Sequence, residues 1–310
     1  MAVSAASPLT IWRLLDGKPG HENQSLGLVN ALRRLCPCAI HDIPLEQGRF
    51  KPLLYLLSGT YSPAVSLPAP DLIVAAGHRT HLHLLAAKRA TGGRAIVLMK
   101  PSLPVALFDL VLIPEHDQHA GGDNILETRG VLNPLESAGE HQADKALILI
   151  GGPSRHHDWD ADGLLGQIGE LLKANPNIDY LLTTSRRTPL EFVNQLRELA
   201  QSNLTVVPVD QTASGWVAKR LAESGVAWVT EDSVSMVYEA LTAGVAVGVL
   251  SMPEKGESRV STGLQQLIVE GLVCRYDKGG EYKNRLQPAK GFNEAERCAR
   301  WIVEEWLKEN

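Results

Sequence analysis

Apolar, β-rich runs alternate with helical patterns along this chain, and that alternation restricts the possible fold more than any other feature. Strand-like runs occur at 10–15 and 72–76 in the first half, and at 146–150 and 226–230 in the second. Segments such as 24–35, with apolar residues at helical spacing, lie between the runs. Strands that alternate with helices form parallel sheets covered by helices. The sequence therefore predicts an α/β fold.

The alternation is interrupted once, by a polar stretch at 137–144, and then restarts with a strand and a glycine turn at 146–152. We predict two Rossmann-like doubly wound domains, residues 1–140 and 141–310, that face an interdomain cleft. Ligands of such sheets bind beyond the carboxyl ends of the strands. We expect the last helix, at 293–308, to pack back on the first domain.

Composition excludes several classes of protein. The formal net charge is −5 and the charged fraction is 21%, so no basic surface for nucleic acid is indicated. We see neither a secretory signal nor an apolar run of the roughly 20 residues that span a bilayer. The four cysteines, at 36, 38, 274 and 298, are expected to be reduced thiols. A cytoplasmic protein is predicted, with a peripheral membrane contact left open.

The turn between the first strand and the first helix is the first candidate site. Glycine lets a ligand approach the main chain closely, and a helix start suits a phosphate or another anion. His21 lies in this turn and is our candidate acid or base. The other residues of the turn that we assign to a ligand or its cleft are Gly17, Lys18, Gly20, Asn23 and Gln24.

A second candidate site follows the strand at 226–230. Asp232 and Ser233 are good helix N-caps. Ser233, Val234 and Ser235 are expected to place backbone N–H groups at a helix start that faces the cleft. Glu239 follows nearly two turns later. Its carboxylate could accept both hydroxyls of a ribose while the helix start holds a diphosphate.

Two further turns are expected on the rim of the second domain. The first is a glycine turn after the strand at 146–150, and the second is a basic turn after the strand at 180–184. Small residues let the main chain approach a phosphate, and arginine donates to it well. The residues that we assign here are Gly152, Ser154, Arg155, Ser185 and Arg186.

Polar residues also follow three strands of the first half and are expected on the rim of the cleft. They are His78, Arg79, Lys100, Glu115 and His116. A metal site built from His81, His83 and the cluster at 115–119 matches no zinc spacing. We therefore predict neither a metal nor a cofactor.

The segment from Ile11 to Gln24 resembles the opening signature of the "elongated mitochondria" fission-factor family, whose bacterial members have been labelled nucleoside-diphosphate-sugar epimerase-like. Later blocks of the chain resemble that family too, so that the resemblance extends from about residue 9 to residue 259. These blocks are Gly77–Thr80, Met99–Ser102, Pro114–Asp117, Gly151–Ser154 and Thr230–Glu239.

That family is similar in turn to the GT-B glycosyltransferases, which have two Rossmann-like halves. In the lipid-linked N-acetylglucosaminyl transferases of bacteria, a glycine-rich first turn ends in a histidine, as Gly20 and His21 do here. Those enzymes also carry a serine six residues before a ribose-binding glutamate, a spacing that Ser233 and Glu239 share. The first turn departs from theirs, because Asp-Gly-Lys-Pro-Gly-His replaces a run of glycines. Without an organelle-targeting segment, a bacterial member is expected.

The resemblance implies a protein that binds a nucleoside-diphosphate sugar and transfers the sugar to an unknown acceptor without a metal. Two alternatives stay open. One is a non-hydrolysing epimerase of nucleotide sugars, for which Glu115, His116 and Asp117 would supply acid and base groups. The other is a non-catalytic fission or scaffold protein that kept the fold and recruits partners to a membrane.

Overall fold

The computed structural model describes residues 8–46, 48, 50–117, 119, 121–137, 139–199, 201–256 and 259–307. Residues 1–7, part of the stretch searched for a secretory signal, lie outside that description. The chain divides into two compact units. Unit 1 comprises residues 1–134 and 294–310, and unit 2 comprises residues 135–293. Each unit contains one six-stranded sheet, and all strand pairs in both sheets are parallel.

Unit 1 is a doubly wound sheet in which the strand order is β2-β1-β3-β4-β5-β6. Its strands are β1 (Leu9–Leu15), β2 (Cys38–Pro44), β3 (Leu72–Ala76), β4 (Arg94–Leu98), β5 (Leu110–Pro114) and β6 (Ile125–Thr128). Its first three helices are α1 (Pro19–Leu35), α2 (Lys51–Ser58) and α3 (His81–Thr91). The chain places β2 on one side of β1 and β3 on the other, so the topological switch point lies between β1 and β3.

The sheet of unit 1 is buried because β3 and β5 carry apolar residues at every position, the pattern of a parallel strand covered on both faces. On one face, Leu28 and Leu32 of α1 pack with Ile302 of the last helix, α10 (Glu294–Ile302). Each fully buried side chain of this size contributes about 1.5–3 kcal/mol. These contacts explain why the end of the chain groups with unit 1.

Unit 2 repeats the architecture with the strand order β12-β11-β10-β7-β8-β9. Its strands are β7 (Gln142–Ile150), β8 (Asp179–Thr184), β9 (Leu204–Val207), β10 (Ser224–Thr230), β11 (Ala246–Leu250) and β12 (Cys274–Arg275). Its helices are α4 (Ala161–Ala174), α5 (Leu190–Glu198), α6 (Trp216–Glu223), α7 (Val234–Ala243), α8 (Arg259–Val269) and α9 (Tyr282–Arg285). The switch point of this sheet lies between β7 and β10.

The core of unit 2 is centred on Trp228, which is 1% exposed. Its ring packs edge-on against Tyr282, with the centroids 5.1 Å apart. The indole fits because Gly248 of the neighbouring strand has no side chain, and a Cβ there would lie 2.4 Å from the ring.

The strand orders and pairings confirm both predicted sheets as parallel and doubly wound. Within the described part of the chain, no helix is both long and apolar enough to cross a bilayer.

Candidate functional site

The turn after β1 lies at the carboxyl edge of the sheet of unit 1, beside its switch point. Helix α1 begins here at Pro19. Proline is favoured at this position because its fixed φ angle is already that of a helix. Glu22 of the first helical turn accepts a hydrogen bond from the Gly17 N–H, at 3.0 Å. The Lys18 N–H donates to Oδ1 of Asp16, at 3.1 Å. The turn is therefore fixed by its own acidic side chains.

Asp16 and His21 form a carboxylate–imidazole pair in this turn. Oδ2 of Asp16 lies 2.9 Å from Nδ1 of His21, and the Asp16 side chain is fully buried whereas that of His21 is 19% exposed. A carboxylate accepts hydrogen bonds, so Nδ1 carries the proton and Nε2 is left as an acceptor. That tautomer is the one a general base requires.

Gly77, which follows β3, packs directly against the His21 ring. A Cβ at Gly77 would lie 2.2 Å from Nδ1 of His21, and the φ angle of +87° is one that other residues rarely adopt. The ring therefore contacts the backbone across the switch point. Sequence reasoning identified His21 but not Asp16. The position of Asp16, directly after the strand and five residues before the histidine, could have indicated the pair.

The other predicted residues of unit 1 lie around the same edge of the sheet. Gly20, Asn23 and Gln24 belong to the first two turns of α1, and the Gln24 side chain is buried. The remaining residues follow the carboxyl ends of β3, β4 and β5, and these are His78 and Arg79, Lys100, and Glu115 and His116, respectively. Met99, between β4 and Lys100, has a φ of +70°, a strained value of the kind that accumulates at functional sites.

The two histidines of α3 are core residues. His81 and His83 are each 3% exposed, and burial lowers the pKa of His81 to about 4. Nδ1 of His83 lies 3.3 Å from the Tyr61 hydroxyl. Among the described residues, no group of three or more His, Cys, Asp or Glu side chains could hold a metal ion.

The glycine turn after β7 lies at the switch point of unit 2. The Gly151 N–H donates to the Thr230 hydroxyl at 2.8 Å, and the Gly152 N–H donates to Oδ2 of Asp232 at 3.0 Å. A Cβ on Gly151 would lie 2.2 Å from Oδ2 of Asp232. Glycine is therefore required here for the ends of β7 and β10 to meet.

The place where the ends of β7 and β10 meet is called the junction below. Arg187, in the turn after β8, connects the junction to a third strand. Its Nη2 donates to Oδ2 of Asp232 at 2.7 Å and to the Ser233 hydroxyl at 2.8 Å, and its Nη1 donates to the Gly152 carbonyl at 2.8 Å. Sequence reasoning chose its neighbour Arg186, which is exposed. The local sequence Arg186-Arg187 contains nothing that distinguishes the two arginines.

Asp232 is the most unusual group of this junction. Its side chain is fully buried, and Oδ1 has no hydrogen-bond partner in the described structure. A buried carboxylate oxygen without a donor costs about 1–3 kcal/mol or more. The junction therefore holds an unfilled acceptor next to Arg187, at the edge where ligands of this fold class bind.

The predicted serines of the two rim turns hold those turns together. The Ser185 hydroxyl donates to the Gly151 carbonyl at 2.9 Å. The Ser154 hydroxyl accepts the N–H groups of His156 and His157, at 3.2 and 3.0 Å. Arg155, in the same turn, is exposed. Both hydroxyls are thus engaged within the protein, which leaves the backbone and the arginines as the groups that can meet a ligand.

Helix α7 starts at the same switch point, directly after Ser233. Ser233 makes no side-chain capping bond to the helix, and Ser235 in the first turn is exposed. Glu239 lies six residues after Ser233 and is half-buried. Burial raises the pKa of Glu239 to about 7. No hydrogen bond or ion pair occupies its carboxylate within the described part of the chain, so this desolvated group is available to a ligand.

Comparison with solved structures shows that the fold is that of GT-B proteins. A putative UDP-N-acetylglucosamine 2-epimerase from Listeria monocytogenes superposes with a TM-score of 0.63 at 10% identity, covering 98% of each chain. MurG of Acinetobacter baumannii gives a TM-score of 0.52 at 15% identity, covering 97% of this chain and 100% of that one. A glycosyltransferase from Rickettsia africae gives 0.55 at 11% identity, covering 98% and 100%.

Sequence comparison shows the family. The uncharacterized protein RP120 of Rickettsia prowazekii (strain Madrid E) is 22% identical, and the alignment covers 95% of this chain and 98% of that protein. The family model described as mitochondrial fission ELM1 matches residues 19–306. That match spans nearly the whole chain and includes the segments that carry His21, Gly151 and Glu239. The chain therefore belongs to the mitochondrial fission ELM1 family.

Proposed function

We propose that unit 2 binds a nucleoside-diphosphate sugar and that the protein transfers the sugar to a hydroxyl acceptor. The observation that carries the proposal is Glu239, a desolvated carboxylate without a partner, on the helix that begins at the switch point. Two vicinal ribose hydroxyls match the two oxygens of an ionised carboxylate. A nucleoside therefore satisfies Glu239, and its diphosphate extends toward the start of α7.

The leaving diphosphate needs positive potential, because negative charge develops on it as the bond to the sugar breaks. The Ser233 N–H donates to the Thr230 carbonyl at 3.0 Å. The first turn of α7 therefore offers the backbone N–H groups of Val234 and Ser235 and the positive end of the helix dipole. The exposed Arg186, in the turn after β8, adds a guanidinium group at the same edge of the sheet, whereas the charge of Arg187 is compensated by Asp232 at 2.7 Å. The resulting site stabilises the departing charge without a metal ion.

The acceptor needs a base, and we assign that role to His21. Its Nε2, held as an acceptor by the bond from Nδ1–H to Asp16, takes the hydroxyl proton. The acceptor oxygen then attacks the anomeric carbon, and the bond from that carbon to the diphosphate oxygen breaks. Asp16 stabilises the imidazolium that forms.

A panel of nucleotide sugars tests transfer directly. Incubation of the full chain with UDP-, GDP-, ADP- and dTDP-sugars and a mixture of hydroxyl acceptors should release one nucleoside diphosphate. His21→Ala should abolish release and keep nucleotide binding, whereas Glu239→Ala should weaken binding itself. If no nucleotide sugar binds at millimolar concentration, the proposal fails.

An epimerase is the second candidate, because epimerases are among the proteins that share this fold. Epimerisation would use acid and base groups such as Glu115 and His116 at the carboxyl edge of unit 1, and it exchanges a sugar C–H proton with solvent. The same panel in deuterated water separates the reactions. Deuterium at C2 of recovered nucleotide sugar indicates epimerisation, and its absence together with release of nucleoside diphosphate indicates transfer.

We also propose that α2 contacts an anionic lipid surface. Its large apolar side chains recur at the spacing i, i+3, i+4 and i+7, and they face solvent: Phe50, Leu53, Leu54 and Leu57 are 76%, 43%, 61% and 69% exposed. An exposed face of this kind inserts into the headgroup boundary of a bilayer. The exposed Arg89, beside the C-cap of the helix, is a cation that fits a lipid phosphate, whereas Lys51 at the first residue is paired with Glu46 at 3.0 Å.

Vesicle co-sedimentation tests this contact. The full chain should sediment with vesicles that contain phosphatidylserine, and Leu54→Glu combined with Leu57→Glu should abolish it. The matched control is Leu190→Glu combined with Val269→Glu, which adds two charges at other exposed apolar residues. Equal sedimentation of the double variant and the wild type would refute the role of α2. Membrane binding without any nucleotide binding would instead support the scaffold alternative.

A further inference from the structure

Two of the four cysteines form a close thiol pair that the proposed function does not use. Sγ of Cys36 lies 3.7 Å from Sγ of Cys38. Both residues are partly exposed, whereas Cys274 and Cys298 are buried. We propose that Cys36 and Cys38 are a reversible oxidation site, which hydroperoxides convert from a dithiol to an intrachain disulfide.

The backbone around the pair is fixed, so the two sulfurs are held near each other. Cys36 ends α1, and its N–H donates to the Leu32 carbonyl at 3.0 Å. Pro37, between the cysteines, has a restricted φ angle, and its carbonyl accepts the Leu9 N–H at 2.8 Å. Disulfide sulfurs are about 2 Å apart, so the two sulfurs need to approach each other by about 1.7 Å from their present separation of 3.7 Å.

The thiols already interact with each other and with the main chain. The Cys38 thiol donates to the Cys36 carbonyl at 3.2 Å, and the Cys36 thiol lies 3.6 Å from the Leu32 carbonyl. Burial and the neighbouring Cys36 raise the pKa of Cys38 to about 12. Because the Cys38 thiol makes the shorter contact with a carbonyl, we assign the first attack to Cys36 and the second to Cys38.

The reaction balances with a hydroperoxide as the oxidant. The Cys36 thiolate attacks one peroxide oxygen, the O–O bond breaks, and the leaving hydroxide is protonated to water, which gives a sulfenic acid. Sγ of Cys38 then attacks Sγ of Cys36 and the S–O bond breaks. The departing hydroxide takes the Cys38 proton and leaves as water. Two thiols lose two electrons in total, and one peroxide becomes two waters.

Peptide mapping after peroxide treatment tests the site. The reduced full chain is treated with hydrogen peroxide, its free thiols are blocked with N-ethylmaleimide, and it is digested with trypsin. We expect the peptide that follows Arg34 to carry both cysteines unblocked and to be lighter by two hydrogens, with dithiothreitol reversing the change. Cys274→Ser, which keeps the pair, should behave as the wild type.

Cys38→Ser removes the resolving thiol, so the sulfenic acid on Cys36 should persist. Dimedone labelling of Cys36 should then exceed that of the wild type by about tenfold or more. Equal labelling in both proteins, or sulfinic acid instead of the disulfide in the wild type, would overturn the proposal. Phenylarsine oxide, which needs two thiols within reach, gives a second measurement. It should bind the reduced wild type and not Cys38→Ser.

The thiol pair lies at the amino end of β2, the opposite edge of the sheet from the turn that holds His21. Oxidation is therefore expected to leave nucleotide binding unchanged. A failed oxidation test would say nothing against the proposed function, and a failed binding test would say nothing against the thiol site.

Discussion

Replacement of Glu239 by glutamine should stabilise the folded chain at pH 8 and change its stability little at pH 4. Burial raises the pKa of Glu239 from 4.5 to about 7. At pH 4 the side chain is protonated in both the folded and the unfolded chain. As the pH rises through 4.5, the unfolded chain releases the proton first. Stability is then lost progressively until the folded chain also ionises near pH 7.

The magnitude follows from the two pKa values. A tenfold difference in dissociation constant corresponds to about 1.4 kcal/mol. The change from 4.5 to about 7, reduced for the partial exposure of the side chain, therefore costs the wild type roughly 2–3 kcal/mol above pH 7. Glutamine carries no charge, so the variant avoids this cost at every pH.

Thermal unfolding followed by circular dichroism at pH 4, 6 and 8 measures the effect. A gain of this size should raise the Tm of a unit of this length by about 4–10 °C at pH 8. Glu198→Gln removes one charge at an exposed position of α5 and is the matched control. If the variant is no more stable than the wild type at pH 8, or is equally stabilised at pH 4, the carboxylate is not desolvated as described.

Arg187→Ala should reduce the free energy of unfolding by about 1–3 kcal/mol in urea denaturation, because it leaves the buried Asp232 carboxylate without its cation. The exposed neighbour gives the control, and Arg186→Ala should change stability by less than about 0.5 kcal/mol. Asp16→Asn should lower kcat about a hundredfold or more and leave nucleotide affinity unchanged, because an amide N–H facing Nδ1 of His21 moves the imidazole proton to Nε2. An unchanged kcat would contradict the base assignment.

The sheets could be predicted from the sequence because short-range patterns determine them. Runs such as Leu72–Ala76 and Leu110–Pro114 are apolar throughout, which only a strand covered on both faces explains. Two elements could not be predicted in this way. Strand β12, at Cys274–Arg275, has only two residues, too few to show a pattern. Helix α2 exposes its apolar face to solvent, although such a face normally packs against a core.

The details of the candidate site depend on three-dimensional packing that no local pattern encodes. The turn after β8 directs Arg187 toward Asp232 and leaves Arg186 exposed, and only the backbone path of that turn decides between them. Asp16 could have been suspected from its place at the strand end. Its pairing with His21 requires the turn to fold back over Gly77, a contact between residues far apart in sequence.

Isothermal titration calorimetry with UDP, GDP, ADP and dTDP on the full chain tests the central claim most directly. We predict that one of the three ribonucleoside diphosphates binds at a single site and that dTDP, which lacks the 2′-hydroxyl, binds more weakly. Glu239→Ala should weaken that binding roughly a hundredfold, since two hydrogen bonds to a charged group contribute about 1.5 kcal/mol each. Glu198→Ala should leave it unchanged. Absence of binding by all four at millimolar concentration, or equal affinity of Glu239→Ala and the wild type, would contradict the account.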